Sequence, residues 1–336
     1  MALVSNVKII AGRSNPQLAS DIATSLGLEL TNVTLGSFAN GEIQAEVINE
    51  NLRDSIIYVV QTGAGNGALS INDLFIEALA LADLCGRSGA KAVNLICPLY
   101  PYARSDKKDK PRVPIMSALA AGLIERAGFD RIICMDIHAA QTQGTTVLPF
   151  DNLYAIKLIL RHIREQLFTG LTQEQINAQY VLLAPDMGSY RRIRAYAAAL
   201  EMDHTVMEKR RDYTQKNVVS KSELMGGAVE GKTAIIIDDM VDTMGTMVAA
   251  VQELVSHGIK DVIVIATHGI LSGPAIERIN ACEMITRVIV TDTIDQTANA
   301  ALCPKLAVVQ TGPLFAKVIE ILTNGGSISA LFKDGA

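Results

Sequence analysis

The chain has 336 residues, 49% of them hydrophobic and 19% charged, enough for a large core and too many for one average domain. A formal net charge of −5 and the absence of tryptophan exclude a general nucleic-acid binder, which needs a basic balance and aromatic platforms for bases. The opening MALVSNVKII has no basic region ahead of a long apolar stretch, and no run of about eighteen apolar residues follows. Neither a signal peptide nor a membrane span is predicted, and the protein reads as soluble and cytoplasmic, with no membrane partner.

In chain order, short apolar runs predict strands at VKII, at SIIYVV from Ser55, at AVNLIC from Ala92, at RIICMDI from Arg131 and at YVLLA from Tyr180. TAIIIDD from Thr233, DVIVIATHG from Asp261 and RVIVTD from Arg287 continue the series. Amphipathic stretches lie between them. INDLFIEALALADLCGRSG is one, and TMVAAVQELVSHG is another, with Val248, Val251 and Val255 on one face and Gly258 as its C-cap. The segment LFTGLTQEQINAQ is a polar connection with room for a short helix, and QTGAGNGALS is a loop feeding a helix, since its glycines fit neither GxGxxG nor a Walker A ending. Strand, helix and strand in succession predict parallel βαβ units and a doubly wound α/β fold.

The elements repeat. VKIIAGRSNPQLASDIATSLG reads like VLLAPDMGSYRRIRAYAAALE, SIIYVVQT like TAIIIDDM, and SGAKAVNLICPLYPYA like HGIKDVIVIATHGILS. Two tandem domains are expected, residues 1–150 and 151–336, divided near LPFDNLY, where Asp151-Asn152 suits a turn. The last helix is a candidate to pack back on the first domain. Cys85, Cys97, Cys134, Cys282 and Cys303 form no CxxC pair and lie mostly in apolar runs, so reduced, buried thiols are expected rather than disulfides or a zinc site.

IIIDDMVDTMGT at 235–246 is the strongest local signal. A buried strand delivers Asp238 and Asp239 to its C-terminal end, where open α/β sheets bind ligands. Asp242, Thr243, Met244, Gly245 and Thr246 then offer hydroxyls, a glycine and the free N–H groups of a helix start, which suit a phosphate monoester. Carboxylates suit sugar hydroxyls, so the pattern fits a pentose phosphate; the plainer alternative is an ordinary loop with Thr243 or Thr246 as N-cap.

This motif resembles the ribose-phosphate site of the type I phosphoribosyltransferase fold, and an ordered set of further motifs resembles the ribose-phosphate diphosphokinase, or phosphoribosyl pyrophosphate (PRPP) synthetase, family. The set runs from FANGEI (38–43) through YPYARSDKKDKPRVPI (100–115), DIHAAQTQG (136–144), PFDNLYA (149–155), APDMG (184–188) and EKRRD (208–212) to THGILSGPA (267–275). The resemblance implies two phosphoribosyltransferase-like domains and transfer of the diphosphoryl group of ATP to C1 of ribose 5-phosphate with Mg²⁺, giving PRPP and AMP. Asp238, Asp239 and residues 242–246 then hold ribose 5-phosphate. Lys209 and Arg211 are catalytic cations, on a loop that closes over ATP. Phe38, Asn40, Glu42, Arg104, Asp106 and His138 serve ATP, the first three from a neighbouring subunit of a homo-oligomer, a hexamer built from dimers. His138 and Asp186 are magnesium-site candidates, Asp186 the harder oxygen ligand; Asp136 braces its loop.

Several positions depart from the common family pattern: Ser105, Pro111, Ala140, Thr145-Thr146, Met187, Ser189 and Met244. Two competing expectations follow from the same motifs. One is a catalytically impaired, synthetase-associated regulatory subunit, which should have lost its acids or its catalytic cations. The other is a phosphoribosyltransferase that consumes PRPP, which needs only one such domain.

Overall fold

The computed structural model describes residues 6–211, 219–226 and 229–332. These form two compact units. The first takes in the described residues up to Ala155 together with Asp292–Asp295 and Gln310–Leu331; the second takes in Ile156–Thr291 and Gln296–Val309.

In the first unit the strands are β1 (Val7–Ala11), β2 (Val33–Ser37), β3 (Ile43–Val47), β4 (Ile56–Val60), β5 (Ala92–Ile96), β6 (Arg131–Met135) and β7 (Phe150–Leu153). Five of them make a wholly parallel sheet in the order β1-β4-β5-β6-β7, while β2 and β3 pair only with each other, antiparallel. Ile57, Tyr58, Val59 and Val60 are all buried in succession, which requires cover on both faces of the sheet. Helices α1 (Pro16–Leu26), α2 (Ile71–Arg87) and α3 (Met116–Ala127) supply cover. Asn15 caps α1 by accepting from the Leu18 N–H at 3.1 Å, and Pro16 starts it where a missing N–H costs nothing. Ser70 and Asp73 close a capping box on α2, so the QTGAGNGALS segment does feed a helix.

LPFDNLY is not only a turn. Its Phe150–Leu153 forms β7, the edge of the first sheet, and a partly buried edge strand tolerates the polar FDN run.

The second unit contains α4 (Ile156–Gln166), α5 (Gln173–Gln179), β8 (Tyr180–Ala184), α6 (Tyr190–Leu200), β9 (His204–Arg211), β10 (Val219–Gly226) and β11 (Thr233–Val241). It continues through α7 (Gly245–Ser256), β12 (Asp261–Gly269), α8 (Ala275–Ala281), β13 (Ile285–Thr291), α9 (Thr297–Leu302) and β14 (Leu306–Val309). The sheet order is β10-β9-β8-β11-β12-β13-β14, with only β10 antiparallel. The series β8-β11-β12-β13-β14 repeats β1-β4-β5-β6-β7 strand for strand, which is the duplication expected from the sequence. α5 falls in the polar connection and carries its own capping box, Thr172 with Gln175. α7 buries Met247, Ala250, Val251 and Leu254; of the expected valine stripe Val251 is buried, Val248 is partly buried against the core and Val255 is exposed. The final helix, α10 (Gly312–Thr323), packs against α1 within the first unit.

Candidate active site

The β11 strand is buried from Thr233 to Ile237 and then turns acidic. Asp238 remains 28% exposed and Asp239 only 7%. Arg192, from the first turn of α6, donates to Asp238 Oδ1 at 2.8 Å and lies 3.6 Å from Asp239 Oδ1, so one guanidinium faces two carboxylates. Burial first, and the neighbouring Asp239 second, push the Asp238 carboxyl up to about 7, against the pull of Arg192.

The following turn is held from outside. Asp242 accepts from the Ser272 hydroxyl, and the Thr243 carbonyl accepts from Arg278 Nη1 at 2.7 Å. Met244 adopts φ +61°, a left-handed conformation that strains a non-glycine residue, while its side chain is buried in the core. α7 starts at Gly245 with no side-chain cap on its N–H groups. Thr243 and Thr246 are both exposed and do not cap it, so the ordinary N-cap alternative does not describe this turn. Uncapped N–H groups at a helix start favour an anion.

Asp186 stands two residues beyond β8, which is hydrogen-bonded in parallel to β11. It therefore leaves the sheet on the same edge as Asp238 and Asp239. Its Oδ1 accepts from the Ser189 N–H at 2.9 Å and the Ser189 hydroxyl at 3.0 Å, and the residue is exposed. The catalytic candidates Lys209 and Arg211 do not sit on a loop. Their backbones belong to β9, opposite Ser222 and Val219 of β10, because β9 pairs with β8 and extends the sheet past the apolar TVM run. The loop between β9 and β10, 212–218, lies outside the described residues.

In the first unit, Phe38, Asn40 and Glu42 form the tip of the β2–β3 hairpin. The turn closes on itself: the Phe38 N–H donates to the Glu42 carbonyl at 2.8 Å and the Glu42 N–H to Asn40 Oδ1 at 3.2 Å. Phe38 is 53% exposed. Arg104 and Asp106 lie on the loop after β5, and Asp106 accepts from Gln141 Nε2 at 3.0 Å, tying that loop to the short 3₁₀ turn that follows His138. Asp136 accepts from the Ala155 N–H at 3.1 Å and so braces the loop that exposes His138. His138 belongs to the first unit and Asp186 to the second.

Residues 7–128 match the model of the N-terminal domain of ribose phosphate pyrophosphokinase, and residues 205–333 match the phosphoribosyl synthetase-associated domain. Ribose-phosphate pyrophosphokinase 2 of Schizosaccharomyces pombe is 40% identical over 97% of both chains. The chain belongs to the ribose-phosphate pyrophosphokinase family. Ribose-phosphate pyrophosphokinase A of Dictyostelium discoideum is 38% identical over 98% of both chains. The crystal structure of phosphoribosylpyrophosphate synthetase from Mycobacterium smegmatis superposes with a TM-score of 0.84, at 35% identity, covering 96% of this chain and all of that one. The fold is thus the family's: two tandem phosphoribosyltransferase-like domains, each a mostly parallel sheet flanked by helices.

Sequence reasoning missed Arg192, Ser272 and Arg278, which hold the acids and the turn. Their partners are 46, 30 and 35 residues away in sequence, and nothing in the local pattern of α6 or α8 marks them.

Proposed function

We propose that the chain is a ribose-phosphate diphosphokinase, transferring the β,γ-diphosphoryl group of ATP to the C1 hydroxyl of ribose 5-phosphate. The observation that carries this reading is the spacing on one strand end: an adjacent carboxylate pair, then, six residues after Asp239, a helix start without a side-chain cap. Asp238 and Asp239 accept hydrogen bonds from the ring hydroxyls, and the N–H groups at Gly245 and Thr246 hold the 5-phosphate. The C1 oxygen attacks the β-phosphorus, the bond from that phosphorus to the bridging oxygen breaks, AMP leaves with the bridging oxygen, and the hydroxyl proton is lost.

Such a transfer asks the protein mainly for position and charge. Lys209 and Arg211 neutralise the moving phosphoryl oxygens; one cation at about 4 Å is worth roughly 4 kcal/mol at an effective dielectric near 20, before desolvation. Magnesium, when bound, supplies further neutralisation of phosphate oxygens. Asp186, an exposed carboxylate, has the oxygen chemistry to hold it, with His138 acting through water or phosphate. Among the described residues no three His, Cys, Asp or Glu side chains cluster as a metal cage.

The exposed Phe38 gives adenine an aromatic face, with Asn40 and Glu42 beside it and Arg104 and Asp106 as further ATP contacts; in a hexamer built from dimers the hairpin tip reaches a neighbour's site. Five unpaired cysteines, four of them buried, support a reducing, cytoplasmic setting. Among the described residues no helix is long and apolar enough to cross a membrane. The regulatory-subunit alternative is disfavoured, because relatives matching the chain almost end to end are named as pyrophosphokinases and the acids at 186, 238, 239 and 242 are all present. Pure protein incubated with ATP, Mg²⁺ and ribose 5-phosphate should release AMP and PRPP in equal amounts. Inorganic phosphate or no product at all would refute the proposal.

A further inference from the structure

Arg278 is a residue that the nucleotide and sugar chemistry does not call for, and the turn geometry does. It lies on α8, exposed, and donates from Nη1 to the Thr243 carbonyl at 2.7 Å. A peptide unit is planar and trans, so fixing that carbonyl oxygen fixes the Met244 N–H on the opposite side of the same plane. Met244 is the residue held at φ +61°, and a left-handed non-glycine persists only where its surroundings impose it. The turn is imposed from three directions: the Ser272 hydroxyl on Asp242, Arg278 on Thr243, and burial of the Met244 side chain.

Gly245 belongs to the same device. A Cβ built there would lie 3.1 Å from Arg278 Nη1, so the missing side chain makes room for the guanidinium against the turn. Charge points the same way. A phosphate monoester carries about −1.5 to −2 charge at pH 7. The strand tip already carries Asp238 and Asp239, and Asp242 opens the turn. Arg192 is engaged by the first two acids. Arg278 is a cation hydrogen-bonded to the turn itself.

We infer that Arg278 is a positioning residue for sugar-phosphate binding: it pins the Thr243–Met244 peptide so that the turn's N–H groups face the 5-phosphate, and it offsets the acids beside them. The inference rests on the reading of 242–246 as a phosphomonoester site.

The test uses the full-length protein, with ribose 5-phosphate binding followed by calorimetry and both substrates' KM by steady-state assay. Arg278→Met should weaken ribose 5-phosphate binding and raise its KM about tenfold, the size of a hydrogen bond from a charged donor. The ATP KM and the thermal midpoint should stay at wild-type values, and Arg278→Lys, which restores charge and one donor, should recover most of the affinity. Gly245→Ala should weaken ribose 5-phosphate binding in the wild type and add little in the Arg278→Met background. If Arg278→Met lowers the thermal midpoint, Arg278→Gln replaces it under the same expectation. Wild-type affinity in a folded Arg278 variant, or an equal rise in both KM values, overturns the inference. Failure of the wild-type protein to bind ribose 5-phosphate at all would instead remove the underlying reading of the site.

Discussion

The two halves of the chain share a strand order and diverge at the strand tips. Arg13 stands two residues past β1, as Asp186 stands two past β8, and Gln61 follows β4 where Asp238 and Asp239 end the buried part of β11. In the first half these polar groups satisfy one another. Glu77 is fully buried; it accepts from the Arg13 N–H at 2.8 Å, from the Arg13 guanidinium, and from Gln61 Nε2 at 2.9 Å. Gln61 also takes the Ser14 N–H at 3.0 Å and fills the space over Gly12, where a Cβ would come within 2.1 Å of its oxygen. In the second half two acids face one arginine, and the helix start has no side-chain cap. One copy of the unit knits its strand tips together with Arg13, Gln61 and Glu77; the other sets a pair of adjacent acids at its tip.

The hairpins differ as well. β9 joins the second sheet beside β8, whereas β2–β3 stands apart, attached by the Thr31 N–H to the Ile9 carbonyl at 2.8 Å and by Arg13 Nη2 to the Gly36 carbonyl at 3.1 Å. Arg13 therefore links the closed tip to the hairpin that carries Phe38.

The largest effect is expected where the first tip is opened. Glu77→Ala leaves Arg13 without its carboxylate partner and should cost about 3–5 kcal/mol in urea unfolding. A loss under about 1 kcal/mol would mean that the buried network is dispensable and the contrast between tips empty. Next comes Lys209→Ala on the second hairpin, which should keep nucleotide binding and lower turnover at least about a hundredfold; near-normal turnover would take β9 out of the mechanism. Phe38→Ala on the first hairpin should act differently, raising the ATP KM about tenfold, as loss of a stacking face does elsewhere. Stability should not change, since the ring is half exposed. An unchanged ATP KM would leave that hairpin without a nucleotide role.

The strand alternation and the duplication were legible because the buried β-strands are apolar for four or five consecutive residues and each ends in a short polar turn. The acidic tip was legible because both carboxylates and the turn are contiguous. Residues that act across the fold were not. Arg13 and Glu77 are 64 positions apart, and Glu77 sits inside an amphipathic helix, where its charge looks like a solvated one. The KRR run read as a loop because its charges hide the strand pattern, yet its backbone is committed to β9 by pairing with β10, past the point where β8 ends.

The last test concerns the acidic tip itself, read through its pH dependence. The Asp238 carboxyl is raised to about 7 by burial and then by Asp239, so its folded form favours the proton. Stability from this group is full below the ordinary carboxylate range near pH 4, declines above it, and is gone once pH passes about 7. Asp292 in the first unit, raised by burial to about 6, adds a slope of the same sign that Asp238→Asn does not touch. The variant minus the wild type therefore isolates the tip. Asp238→Asn should gain stability with rising pH relative to wild type between about pH 4 and pH 8, while ribose 5-phosphate turnover falls. A variant that loses both stability and turnover at pH 8 would mean that Asp238 is a satisfied partner of Arg192, and the second tip would then be closed like the first.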